Sequence, residues 1–141
     1  MTTGGITSQF EAARERIRVK ARQAYAGLVL EAYRRVVLRT PVDTGRARGN
    51  WNISTGHPEA GADESKFDTT GLPSIGKAAA FTKSLSIKDI TYIVNNLPYI
   101  NKLEHGSSSQ APVGMVAVTV EEVRQIAVEI QAMLAREAAN G

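Results

Sequence analysis

From Phe10 to Val37 the chain repeats apolar residues at helical spacing with no proline to interrupt them. Phe10, Ala13, Ile17, Ala21, Ala24 and Leu28 mark one face, and beyond Tyr25 the stripe widens to Val29, Ala32, Tyr33, Val36 and Val37; three-to-four spacing of this kind predicts a helix. Ser8 with Glu11 forms a capping box, so the helix is expected to begin at Thr7 or Ser8. Residues 1–7, rich in Gly and Thr, are expected to be disordered. Pro41 stops the helix, because proline disfavours helical geometry in the residue before it. A helix of about 30 residues is about 45 Å long, more than the core of a 141-residue domain can cover. Part of it should project and pack on something else, most simply a second copy.

The rest reads as one small α+β domain over residues 1–141. Trp51 and Ile53 alternate with polar residues in a first strand over 49–55, with Trp51 as a core anchor. Residues 56–73 form a long polar loop, mobile or ordered by a partner, that contains His57. Ser74 caps an expected helix to Ser84, although residues 81–87 also fit an alternating strand. Ile90 to Asn95 is the clearest strand, and Pro98 opens a short helix to Glu104 that Gly106 ends. Thr119 with Glu122 predicts the cap of a last helix, preceded by a strand or lead-in from Met115.

Charge is segregated. Residues 1–50 hold ten Arg/Lys against four Asp/Glu, net +6, and residues 51–141 hold seven against ten, net −3. The halves can attract one another within the fold or between copies. Arg14, Arg16, Arg18, Lys20 and Arg22 crowd the first half of the long helix as a solvated, subunit-facing or nucleic-acid-contacting surface.

Catalytic chemistry finds little support. The absence of cysteine excludes disulfides and thiol catalysis. His57 and His105 lack metal-ligand spacing. Gly71 to Lys77 has the separation of a phosphate loop, but Ala78 stands where a metal-binding hydroxyl is needed and no strand precedes it. Glu104 beside His105 reads as a carboxylate bonded to backbone N–H groups or to an Arg such as Arg46, ahead of a general base. Asp43 reads as a turn-former that accepts a bond from an N–H two residues on, with Gly45 at positive φ. No catalytic, cofactor or metal residue is assigned. There is no run of 18 apolar residues to cross a membrane and no secretory signal pattern, so synthesis in a cytoplasm is expected.

Three blocks carry a resemblance. They are Thr40-Pro41-Val42-Asp43-Thr44-Gly45-Arg46-Ala47-Arg48-Gly49-Asn50-Trp51, then Asn95-Asn96-Leu97-Pro98-Tyr99 with Leu103-Glu104-His105-Gly106, then Gln110-Ala111-Pro112-Val113-Gly114-Met115-Val116. In order and spacing the chain resembles the gene-product-ten family of long-tailed phages, over residues 8–138. Ala47 and Asn50 depart from the family's usual Leu and Ser. The resemblance implies long N- and C-terminal helices packed on a small, mostly antiparallel sheet. It also implies a non-enzymatic virion protein that completes the tail, built as a hexameric ring at the neck, the head–tail junction, with DNA passing through unread. Head-closure, tail-terminator and tail-tube proteins would be its neighbours. Fold-defining or subunit-interface roles then fall on Pro41, Asp43, Thr44, Gly45, Arg46, Trp51, Asn96, Pro98, Tyr99, Glu104, Gly106, Gln110, Pro112, Gly114 and Met115. The alternatives are a tail terminator ring and a small basic nucleic-acid-binding protein.

Overall fold

The computed structural model describes residues 2–140, with side chains from residue 5 onward. In chain order the elements are α1 (Thr2–Arg39), α2 (Arg46–Gly49), β1 (Trp51–Thr55), α3 (Leu72–Thr82), β2 (Thr91–Asn95), α4 (Ile100–Glu104) and α5 (Val116–Asn140). The architecture is α+β: two long helices and a two-stranded antiparallel sheet.

α1 is the spine against which α5, α3 and β1 pack. Its 38 residues span about 57 Å. It begins at Thr2, ahead of the expected start at Thr7 or Ser8, so the stretch expected to be disordered is helical from Thr2 onward, while Met1 lies outside the described residues. Residues 5–12 are all exposed, so no tertiary contact opposes continued i→i−4 hydrogen bonding there. The second half does bury its face, through Val29, Tyr33, Val36 and Val37.

β1 and β2 pair in the register Trp51↔Asn95, Ile53↔Ile93 and Thr55↔Thr91. Alternation puts Trp51 and Ile53 on one face, where they join Tyr33, Val36, Val37, Ala78, Ala111 and Met115 in the core. α5 runs antiparallel to α1. Lys20 Nζ meets Glu137 Oε2 at 2.7 Å at one end, and Arg35 Nη1 meets Glu122 Oε1 at 3.2 Å toward the other. Arg39 also pairs with Glu122 and donates to Thr119 Oγ1 at 2.9 Å. Part of the attraction between the basic and acidic halves is therefore satisfied inside the fold.

Several boundaries differ from the sequence pattern. The turn after Pro41 contains the single helical turn α2. α3 starts at Leu72 with Pro73 in its first turn and ends at Thr82, so residues 81–87 form no strand. α5 starts at Val116, and Thr119 lies within it, its hydroxyl donating to the Met115 carbonyl at 2.6 Å. Thr119 is not the cap; its hydroxyl instead bonds back along the helix, as Ser and Thr do in helix interiors.

β1 is fixed to α1 through buried polar contacts. The Thr40 hydroxyl donates to the Val36 carbonyl at 2.5 Å and accepts from Trp51 Nε1 at 2.8 Å. The Tyr33 hydroxyl donates to the Trp51 carbonyl at 2.9 Å. Burial pushes the Tyr33 phenol up to about 12, with the Asp68 charge adding and Ser74 opposing, so it remains a donor at any ordinary pH. Trp51→Phe keeps an aromatic side chain but removes the indole N–H from Thr40 and part of the buried ring volume. We expect it to lower stability by about 1–3 kcal/mol, read from urea unfolding with an unchanged slope.

Candidate functional site

The first block is a helix stop held from outside the helix. The last carbonyls of α1 have no intrahelical partner, and Arg48 reaches back to supply one. Its Nε donates to the Thr40 carbonyl at 3.0 Å, its Nη2 to Leu38 at 3.1 Å and its Nη1 to Thr69 at 2.9 Å. Gly45 has φ 88°, and a Cβ there would lie 2.7 Å from the Asp68 backbone, so the tight approach of residues 68–69 requires glycine. Asp68 N–H donates to the Gly45 carbonyl at 2.9 Å. The expected side-chain turn bond comes from Thr44, not from exposed Asp43: Arg46 N–H donates to Thr44 Oγ1 at 3.3 Å. Arg46 lies 5.2 Å from the Phe67 ring centroid, and its buried Nε has no partner.

The second block seats α5. Glu104 Oε1 accepts from the backbone N–H of Met115 and of Val116, both at 2.8 Å, and Oε2 accepts from Ala117 at 3.0 Å. A carboxylate from another element thus satisfies the unpaired N–H groups at the start of α5 and complements its dipole. Gly106 and Gly114 both have positive φ, and a Cβ at either would collide with backbone, at the Pro112 carbonyl and the Glu104 carbonyl respectively. Met115 is fully buried, while Pro98, Tyr99 and Pro112 are exposed and mark the outside of the corner.

The blocks also clasp one another. Gln110 Oε1 accepts from Val42 N–H at 2.9 Å, and its Nε2 donates to the Val42 carbonyl at 3.0 Å. Asn95 Nδ2 donates to the Ala47 carbonyl at 2.8 Å. A cleft of about 390 Å³ opens between them, lined by Pro41, Thr44, Arg46, Tyr99, Leu103 and Gln110.

The long loop is ordered by the chain itself. Asn50 bonds the Asp63 backbone on both sides, accepting from its N–H at 2.8 Å and donating to its carbonyl at 2.9 Å. Asn96 Nδ2 donates to the Glu59 and Gly61 carbonyls, both at 2.9 Å. Asp68 caps α3, accepting from Gly71 N–H at 2.7 Å and Ser74 N–H at 3.0 Å. Ser74 therefore receives the cap that its own side chain was expected to provide.

Thr40, Arg48 and Asn50 lie in the first block but carry no individual role in the sequence pattern, and Asp68 lies outside every block. Only Asp68, which lies just before a proline-containing helix start, left a local signal.

Electrostatics follow the caps. Burial works against ionised Glu104, but the N–H groups of Val116, Ala117 and Met115, with His105 aiding, hold its carboxyl below the usual range. Burial likewise opposes ionised Asp68, and bonds from Ser74, Gly71 and Thr70 outweigh it. Both Glu104 oxygens are engaged by backbone, and His105 Nδ1 faces the Asn101 carbonyl at 2.6 Å. Among the described residues no group of three or more His, Asp or Glu is placed to hold a metal. The arrangement fixes the geometry of the chain at both helix ends.

The basic residues divide between two sides of α1. At about 100° per residue, Arg14, Arg18 and Arg22 share one side and Arg16 and Lys20 the other. Arg18 pairs with Glu15 at 3.2 Å and Lys20 with Glu137.

Because the folded Glu104 carboxyl lies below its ordinary 4.5, its stabilisation is full above that pH and is lost as pH falls through the folded value. Glu104→Gln should cost about 1–3 kcal/mol at pH 7, and the gap to wild type should narrow progressively as pH falls below the ordinary carboxyl range, measured by urea unfolding at each pH. Gly114→Ala should cost more than about 2 kcal/mol through left-handed strain and collision, read as a fall in thermal midpoint. No protein-family model, curated protein or solved structure matches this chain.

Proposed function

We propose that this chain is a structural virion protein of a long-tailed phage, a tail-completion component that assembles as a ring at the head–tail junction and leaves a channel for DNA. One observation carries the reading: the first part of α1 runs beyond Lys20, which pairs near the far end of α5, and exposes Ile6, Phe10 and Val19 to solvent. A projecting helix with large apolar side chains suits a protein completed by its neighbours. The resemblance blocks support it further, since in this chain they are the interlocked corners that set the angles between α1, the sheet and α5. An assembly component needs such fixed angles, because a small error per subunit accumulates around a ring. Head-closure, tail-terminator and tail-tube proteins are the partners this reading implies. DNA would meet only sequence-independent charge.

The protein should give a discrete multimer by light scattering over a range of concentrations, with rings in negative stain. A strict monomer, alone and when mixed with purified tails, overturns the reading. The exposed Arg14, with no ion-pair partner among the described residues, favours nucleic-acid binding as the second reading. That reading requires DNA affinity falling steeply with salt, tested by titration at several salt concentrations.

A further inference from the structure

An apolar groove of about 340 Å³ runs between α5, the sheet and α1, with Trp51, Ile93, Val116, Val120, Val123 and Ala127 in its lining. Its α5 wall is open to solvent: Val116 is 38% and Val120 47% exposed. At the opposite end of α1, Ile6 is 55% and Phe10 67% exposed. With Ala13 and Ile17 they recur at helical spacing along one side.

We propose that the projecting end of α1, residues 5–19, lies in this groove on a neighbouring copy, an inference that rests on the ring reading above. The segment cannot fill its own groove. Val36 lines it, and on a continuous helix Phe10 is about 40 Å away from Val36. The lengths agree: residues 5–19 span about 22 Å, and residues 116–127 of α5 about 18 Å. The charges also agree. Residues 5–19 carry Arg14, Arg16 and Arg18 against Glu11 and Glu15, net +1. The α5 wall of the groove, residues 116–127, carries Glu121 and Glu122 against Arg124, net −1. Arg14 has no ion pair among the described residues, and Glu121 pairs only with the exposed Arg124 on its own helix. This is an amphipathic helix laid in an apolar groove. Because donor and acceptor are different surfaces, the contact is heterologous and repeats from copy to copy until it closes as a ring.

Three substitutions at exposed positions test it. Phe10→Glu and Val120→Glu should each convert the wild-type multimer to monomer with unchanged circular dichroism. Val128→Glu, on an α5 residue that is 61% exposed and outside the groove lining, should leave the multimer intact. The chain has no cysteine, so a mixture of Ile6→Cys and Val120→Cys proteins should form a disulfide-linked pair under mild oxidation. A multimer that survives Phe10→Glu, or that Val128→Glu breaks equally, or Ile6→Cys protein that crosslinks only to itself, overturns the groove and leaves the ring standing. A wild-type monomer at every concentration and with purified tails overturns both.

Discussion

A helix that stops must find partners for its last carbonyls, and the way α1 does so positions most of the remaining elements. Arg48 spans three carbonyls, Leu38 in the last turn of α1, Thr40 just past its end, and Thr69. The loop is thereby drawn against the helix end, and α3 continues from it. Thr40 performs the second half of the task. Its hydroxyl turns back onto Val36 and accepts from the Trp51 indole, so β1 leaves the corner at one angle only. A two-stranded sheet is marginal by itself in water. This one persists because its inner face is pressed to α1 and its first residue is bonded to α1 from both side chain and main chain.

The same device recurs at the other helix ends. Asp68 caps α3 and Glu104 caps α5, each a charged side chain aimed at unpaired backbone N–H groups. Such bonds to charged groups are stronger than neutral ones. They are directional where hydrophobic contact is not. The apolar core is short, running from Tyr33 to Met115 through Trp51 and Ala78. It holds the elements together, while the polar caps decide the angles between them.

The legible part of the sequence was its periodicity. The apolar stripe of α1, its burial beyond Tyr25, the alternation of Trp51 and Ile53 and the β-branched run of β2 all report directly on which face meets the core. Chain-end effects were less legible. Thr119 and Glu122 have the spacing of a capping box, yet Glu122 pairs with Arg35 and Arg39, and the true cap comes from Glu104. Asp43 and Thr44 are both competent turn-formers, and only the folded backbone selects Thr44. The loop over residues 56–73 looked unsupported because its anchors, Asn50 and Asn96, lie outside it. In each case the deciding partner is remote in sequence, where local pattern carries no information.

The Glu104 cap has one more consequence, for how the chain tolerates change in length. Residues 105–115 leave Glu104 and return to its side chain, with backbone closing in where Gly106 and Gly114 lack a Cβ. A segment tied at both ends is a closed ring and not a free connector. One inserted residue would turn α5 by about 100° relative to its cap, swinging its buried face away from α1. Exposed positions such as Pro112 and Val113 can vary in chemistry, but the number of residues between cap and helix cannot. Despite its three consecutive serines, this stretch is among the most length-constrained in the molecule.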